Sequence, residues 1–265
     1  MSTNPAVSIV IPLYNCEDTI RRSLMSIKNQ TFRDFETIVV DNNCTDSTIE
    51  IIENEFLDVP GLKILKCSKP GIVPALNTGL RSAVGDWIAR QDGDDYWLPE
   101  KLEKQMSYLK ENTDVHVLGT QINLLDENGK PQDVGTFGVP VTYPEENNEI
   151  KGMMMYGQNP ICHPSVIFSR ALLDVLGGYE QIFPLAEDLH LWIRAFPHFT
   201  FANLPDKLID YTQKKSDDYD ARVPLLLADT YYELYKKTSI ITGDREERVY
   251  DWQWKKDGHL HHGEK

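Results

Sequence analysis

Several kinds of residue and segment are scarce in this chain, and each scarcity excludes something. Basic side chains are in deficit: 27 Lys and Arg stand against 41 Asp and Glu, a formal net charge of −14. A nucleic-acid backbone is bound through a basic surface, so nucleic acid is excluded as a partner. Only four cysteines occur, Cys16, Cys44, Cys67 and Cys162, widely spaced and never in a CxxC pair. That argues against structural zinc and a disulfide framework and fits reduced thiols in a cytoplasmic protein. No apolar run approaches the length that spans a bilayer, and the residues ahead of Val7 do not read as a signal peptide. The expected location is cytoplasmic, at most peripheral at a membrane. No repeat, low-complexity tract or Gly-rich phosphate loop near the first strand is present.

What is present is ordinary in bulk: 265 residues, 41% hydrophobic and 26% charged, enough for one large α/β domain or two small ones. The densest local feature is Asp92-Gly93-Asp94-Asp95, directly after the apolar-rich run Trp87-Ile88-Ala89-Arg90. Carboxylates this close repel, and desolvating any of them is costly. A hard divalent cation, Mg²⁺ or Mn²⁺, removes that cost, prefers oxygen ligands and shares them with phosphates. It also supplies the positive charge that a chain of this acidity needs to hold a phosphorylated ligand. In isolation a solvated Asp-Gly turn explains the tetrad better, so its neighbours decide.

Val7 to Ile11 reads as a buried strand ending at Pro12, followed by a helix with Ile20, Leu24 and Ile27 on one face. Glu36 to Val40, Leu62 to Leu65 and Trp87 to Arg90 read as further strands, with helices around Ile49 and Ile52 and over Ala75 to Arg81. Ser47 with Glu50 suits a capping box. Pro99 suits the first turn of a helix running through Leu102, Met106 and Leu109. Val115 to Leu118 is a strand, Asp126 to Gly129 a turn, and about Gly135 to Gln158 a mobile loop. Ser165 to Phe168, Thr200 to Leu204 and Lys207 to Tyr211 read as strands, and helices start near Asp188 and Val223. Strands alternating with helices imply βαβ units and a parallel, doubly wound sheet, whose ligands bind beyond the carboxyl ends of the strands. Tyr14-Asn15, Asp41 to Asp46 and Asp92 to Asp95 all follow strand ends, and the topology gathers them on one edge. That convergence weighs against the plain turn.

Read in order, these segments resemble the family 2 glycosyltransferases, inverting enzymes of the GT-A fold, over about Val7 to Ser216. Ser8 to Asn15 resembles the opening strand with its Pro-x-Tyr-Asn end, and Val39 to Asp46 a second-strand motif usually written Asp-Asp-Gly-Ser-x-Asp. Ala75-Leu76-Asn77-Thr78-Gly79 is similar to an Ala-x-Asn-x-Gly helix, and Ile88 to Asp95 to the DxD segment. His163-Pro164-Ser165 and Glu187 to Trp192 resemble acceptor-side motifs. The resemblance implies a GT-A-type, Rossmann-like, mostly parallel sheet flanked by helices. It implies a nucleotide-sugar-binding half over residues 1–110, an acceptor-binding and catalytic half over 111–216, and a helical C-terminal extension over 217–265.

On the donor side it implies Pro12, Tyr14, Asn15, Asp41, Asn42, Asn77, Arg90, Asp92 and Gly93, with Tyr14 against the base, Asp92 near the ribose and Asp94 on the metal. On the acceptor side or lid it implies His163, Glu187, Trp192 and Lys214, with Asp188 as catalytic base. The implied cofactor is Mn²⁺ or Mg²⁺, the donor a nucleotide sugar with UDP taken as the default nucleotide, and the acceptor a glycan or lipid-linked hydroxyl. The chemistry suits the residue types. A leaving nucleoside diphosphate needs its developing charge stabilised, and a hydroxyl is a weak nucleophile until a base takes its proton.

Plainer readings stand beside these. Asp46 or Ser47 is expected to cap a helix, Glu187-Asp188 suits a helix N-terminus, His163 alone reads as structural, and Trp192 as core or acceptor platform. Asn42 departs from a second Asp, Asn43-Cys44 from Gly-Ser, and Thr212 and Lys214 from an Arg and a His in a Tyr-Arg-x-His-x-x-Ser segment. No Gln-x-x-Arg-Trp motif of processive synthases occurs, so addition of a single sugar is expected. The departures keep an alternative open, a catalytically inactive nucleotide-sugar or glycan-binding module. A nucleotidyltransferase is disfavoured without a Gly-rich loop. Beyond Asp217, Tyr231, Tyr232, Leu234, Tyr235, Lys236 and Lys237, then Trp252, Trp254, Lys255 and Lys256, mix aromatics with cations. Core packing or a homodimer interface is the plainer reading, and peripheral membrane contact the other.

Overall fold

Strand β1 (Val7–Leu13) is buried along its whole length, as a nearly continuous apolar run requires: both faces must be covered. It pairs in parallel with β2 (Phe35–Asp41) and β4 (Trp87–Arg90), and β2 pairs in parallel with β3 (Lys63–Lys66). Helices α1 (Ile20–Lys28), α2 (Thr48–Glu55) and α3 (Ile72–Ser82) make the crossovers. Alternation along β1 divides the core between two faces. Ile9, Ile11 and Leu13 join Ile20, Leu24 and Ile27 of α1 and Ile52 of α2. Val10 joins Val73, Leu76 and Leu80 of α3 on the other face. The computed structural model describes residues 4–126, 128–135, 141–180, 186–213, 222–237, 240, 252–254 and 260–262.

The chain then adds β5 (Tyr96–Trp97), α4 (Lys101–Glu111), β6 (Val115–Leu125), α5 (Asn147–Met155) and a single 3₁₀ turn (His163–Ser165). After these come β7 (Ile167–Ser169), α6 (Arg170–Leu176), α7 (Glu187–Ala195), β8 (Thr200–Thr212) and α8 (Arg222–Lys237). The sheet order is β3-β2-β1-β4-β7-β6-β8-β5. β7 runs antiparallel to β4 and β6, β5 antiparallel to β8, and the rest are parallel. Because β7 opposes β4, it begins at the edge where β4 ends: Ala89 pairs with Ile167, and the Arg90 N–H donates to the Val166 carbonyl at 3.1 Å. His163–Ser165 therefore enter the same edge as the residues that follow β1, β2 and β4.

Several local expectations change. The stretch read as a mobile loop contains α5, whose Ile150 and Met154 are fully buried in the core; the surrounding Asn and Glu mask this apolar pair at helical spacing. The two short strands expected from Thr200 are one strand, β8, whose register against β6 shifts between Thr120, Gln121 and Ile122. That irregularity accommodates Pro205 and Asp206. No capping box forms at α2. Ser47 sits at ψ 10° instead of the extended region a cap needs, and Asp46 accepts the Thr48 N–H at 3.0 Å. Pro99 lies in the turn before α4, where its carbonyl accepts the Thr31 N–H at 2.9 Å. Ser165 belongs to the 3₁₀ turn, and β7 starts at Ile167.

The C-terminal part is not wholly helical: β9 (Trp252–Trp254) pairs antiparallel with β10 (Leu260–His262). In α8, Tyr232 and Tyr235 are buried, and the Tyr235 hydroxyl donates to the Ile193 carbonyl at 2.7 Å, so this tyrosine face packs on α7. Among the described residues no helix is long and apolar enough to cross a membrane.

Candidate active site

The loop after β4 is gripped from several sides. Ser23 and Thr19 donate their hydroxyls to the carbonyls of Asp92, at 3.0 Å, and Gly93, at 2.9 Å. Thr212, at the end of β8, donates its hydroxyl to the Asp94 carbonyl at 3.3 Å and its N–H to Asp95 Oδ1 at 2.9 Å. Buried Gln91 donates to Ser23 Oγ at 2.9 Å and to the Asp95 carbonyl at 3.2 Å. Gly93 is tightly packed: a Cβ there would lie 2.8 Å from both Cys16 Sγ and Leu13 Cδ2 and would displace those side chains.

One carboxylate oxygen from each of Asp92, Asp94 and Asp95 lies within 4.8 Å of the other two. Asp95 is buried, and its Oδ2 has no hydrogen-bond partner. Burial, then the charges of Asp92 and Asp94, push its pKa well above the usual carboxylate range. An all-oxygen set with an orphaned buried oxygen fits a hard divalent cation. Asp92 also forms an ion pair with the buried Arg90, Oδ2 to Nη1. Burial alone would lower the Arg90 pKa, but the Asp92 carboxylate, together with Tyr179 and Glu187, outweighs it and the net shift is upward.

The second group of acids is at the start of α7, where the helix dipole favours negative charge. Asp188 accepts the Leu189 N–H on Oδ1 at 2.7 Å and the Asn159 amide on Oδ2 at 2.6 Å. Glu187 Oε2 is buried without a hydrogen-bond partner. Burial raises the pKa of both acids, and the Asp188 charge helps push Glu187 up to about 7. His163 stands between them: Nδ1 is 3.9 Å from Glu187 Oε1 and 4.0 Å from Asp188 Oδ2, while Nε2 is 2.8 Å from the Tyr179 hydroxyl. Burial, then the Arg90 charge, depress the His163 pKa well below its usual value, so the imidazole is neutral. Arg90 lowers the pKa of both acids as well, which makes the two carboxylate groups one electrostatic unit.

The other expected site residues divide by what their side chains touch. Tyr14, just past β1, is 64% exposed, with its ring open to solvent. Asn15 has a left-handed backbone, φ 50°, and its Oδ1 accepts the Thr45 N–H at 2.9 Å. Asp41 Oδ1 accepts the Cys44 N–H at 2.9 Å, and Pro12 is buried in β1 opposite Val40. Asn42 and Asn77, expected on the donor, are spent on backbone instead. Asn42 Nδ2 donates to the carbonyls of Cys67 at 3.1 Å and Lys69 at 2.8 Å, and its Oδ1 accepts the Gly71 N–H at 2.8 Å. Asn77 bonds the Tyr179 carbonyl at 2.8 Å and its N–H at 3.0 Å. Trp192 is fully buried against His163 and Phe168, so it is core and not an acceptor platform. Lys214 lies outside the described residues. Sequence reasoning misses Asn159, Tyr179, Thr19, Ser23 and Gln91. Asn159 and Tyr179 meet partners 29 and 16 positions away, which no local pattern signals.

Known proteins resemble this chain in sequence and in fold. A profile described as glycosyl transferase family 2 matches residues 8–176. The putative glycosyltransferase EpsE of Bacillus subtilis is 33% identical over 227 residues, covering 83% of this chain and 76% of EpsE. The amylovoran biosynthesis glycosyltransferase AmsE of Erwinia amylovora is 30% identical over 76% of this chain and 74% of its own. Among solved structures, S. aureus TarS 1–349 in complex with UDP-GlcNAc matches with a TM-score of 0.63 at 25% identity, over 80% of this chain and 59% of that one. The mannosyltransferase PcManGT from Pyrobaculum calidifontis, in complex with GDP-Man and Mn²⁺, shares the fold with a TM-score of 0.59 at 21% identity, over 92% of this chain and 66% of that one. With its mixed α/β sheet of GT-A type and these matches, the chain belongs to glycosyl transferase family 2.

Proposed function

We propose that this protein is an inverting, metal-dependent, non-processive glycosyltransferase. It moves one sugar from a nucleoside diphosphate sugar to a hydroxyl of a glycan or lipid-linked acceptor. The observation that carries this reading is the pairing, on one sheet edge, of an all-oxygen carboxylate cluster with a hydrogen-bonded acid at a helix N-terminus. Asp94 would hold a divalent cation, Mn²⁺ or Mg²⁺, with Asp92 and Asp95 beside it, and such an ion would supply positive charge to the diphosphate. Tyr14 offers an exposed ring for the nucleotide base to stack on, and Asp41 lies at the same edge. Asp188 takes the proton of the acceptor hydroxyl as its oxygen attacks the anomeric carbon, opposite the departing nucleoside diphosphate, so the centre inverts. Glu187, with its raised pKa, stays largely protonated beside it below neutral pH. The nucleotide bound by TarS supports UDP as the first donor nucleotide to test. Residues up to about 110 serve the donor and the following hundred the acceptor.

Turnover of the wild type, Asp94→Ala and Asp188→Asn tests the assignment. Each variant should lose at least about a hundredfold in transfer. Asp188→Asn should keep Mn²⁺-dependent UDP binding, and Asp94→Ala should not. Full turnover in either variant removes the role given to that residue.

A further inference from the structure

The two donors that hold Asp188 differ in kind. The Leu189 N–H belongs to α7 and comes with the helix. The Asn159 amide arrives from a segment 29 residues earlier and reaches Oδ2 at 2.6 Å. That segment has its own anchorage. Pro160 follows Asn159 and biases its backbone towards an extended conformation. Asn203 of β8 donates Nδ2 to the carbonyls of Pro144 at 2.6 Å and Pro160 at 3.0 Å, and its N–H to the Glu145 carbonyl at 3.2 Å. Gly119, paired with Asn203 across β6 and β8, makes the room: a Cβ there would lie 2.0 Å from Asn203 Oδ1. The sheet, and not α7, therefore sets where the Asn159 amide stands.

We propose that Asn159 is a positioning residue for the proton acceptor, fixing the Asp188 carboxylate in one orientation toward the incoming hydroxyl. The proposal rests on Asp188 being the base. Other groups face Asp188: Glu187 beside it on α7, neutral His163 on the 3₁₀ turn, Arg90 on β4, and the phenols of Tyr143 and Tyr179. Among the described residues none of these donates a hydrogen bond to it. A hydrogen bond to a carboxylate also favours its charged form, so Asn159 opposes the upward push of burial on Asp188. Asn159 is exposed, and its replacement leaves the core untouched.

The test uses the full chain as wild type, Asn159→Ala, Asn159→Asp and Asp188→Asn. The first readout is a ¹³C-carboxyl NMR titration, with the Asp188 resonance assigned by its loss in Asp188→Asn. The Asp188 midpoint should rise by about one unit in Asn159→Ala and further in Asn159→Asp. The second readout is release of UDP from UDP-N-acetylglucosamine with Mn²⁺ and water as the acceptor, from about pH 5 to 9. Turnover should fall about tenfold in Asn159→Ala at unchanged KM, with the acid limb of the profile moved to higher pH. Asn159→Asp has the same shape but lacks the donor and adds charge, so it should fall further; a packing role would tolerate it. An unchanged midpoint in Asn159→Ala overturns the proposal, whatever the turnover. Full turnover in Asp188→Asn instead removes the base reading beneath it, and leaves the titration result standing. Where hydrolysis is too slow to follow, the titration decides alone.

Discussion

An amide and a carboxylate are nearly the same size, but only the amide can donate a hydrogen bond. Asn42 uses that difference, because its Nδ2 lies against two carbonyl oxygens, those of Cys67 and Lys69. Asn42→Asp would set a carboxylate against both. It should cost about 1–3 kcal/mol at neutral pH, a loss of several degrees in Tm by calorimetry, and less in acid where the new carboxyl is protonated. Glu187 makes the opposite case. Its folded pKa of about 7 lies above its ordinary 4.5. The folded chain therefore holds an extra proton between those values, and stability from this group is full below pH 4.5 and lost as pH rises through 7. Against Glu187→Gln, the wild type should lose roughly 2–3 kcal/mol between pH 4.5 and 8 in urea unfolding; a flat difference would remove the assignment. At this scale the acids were legible, since Asp92 to Asp95 and Glu187-Asp188 are contiguous strings whose repulsion needs an explanation. The amides were not. Asn42 and Asn77 serve backbone up to 102 positions away, and a side chain that braces a loop looks in sequence like one that meets a ligand.

Elements were legible where one apolar face repeats, as in α1 with Ile20, Leu24 and Ile27. They were obscured where few core positions sit among polar ones, as in α5, or where an element is as short as β5. Pro205 hid the continuity of β8, because only pairing with β6 shows that the interruption falls at a register shift. The contact of β8 with β6 at Gly119 makes a prediction about elements. Gly119→Ala forces Asn203 off the Pro144 and Pro160 carbonyls. It should destabilise by about 2–3 kcal/mol and lower transfer more than tenfold. Gly152→Ala in α5 is the control, since its added Cβ meets nothing within 4 Å. A helix interior favours alanine, so it should be neutral or stabilising by up to about 1 kcal/mol. Equal losses in both variants would remove the special role of the Asn203 clamp.

For the whole molecule, the net charge of −14 sets the balance. The clustered acids after β4 repel one another in the ligand-free fold, and on the proposed function a divalent cation with a diphosphate would relieve that repulsion. UDP with Mn²⁺ at a hundred times its Kd should add about 2.7 kcal/mol, or roughly 5–10 °C in Tm for a chain of this size. UDP alone should add little, and Asp94→Ala should abolish the shift; an equal shift without metal would remove the cation from the donor site. The alternation of strands and helices made the parallel half of the sheet legible, but not the antiparallel insertion of β7 that brings His163 to the edge, because strand order follows from long-range pairing alone. Strand β8 has a further consequence. At Asn203 it grips the segment beside Asp188, and nine positions later, at Thr212, it grips the carboxylate loop. One strand thus spans the distance between the Asp188 side and the carboxylate loop, no longer than about 30 Å, with its register shift at Pro205 and Asp206 lying between the two grips. Inserting a single residue in the paired stretch from Ile209 to Thr212 would turn the side chains that follow it to the opposite face and loosen the Thr212 grip on the carboxylate loop.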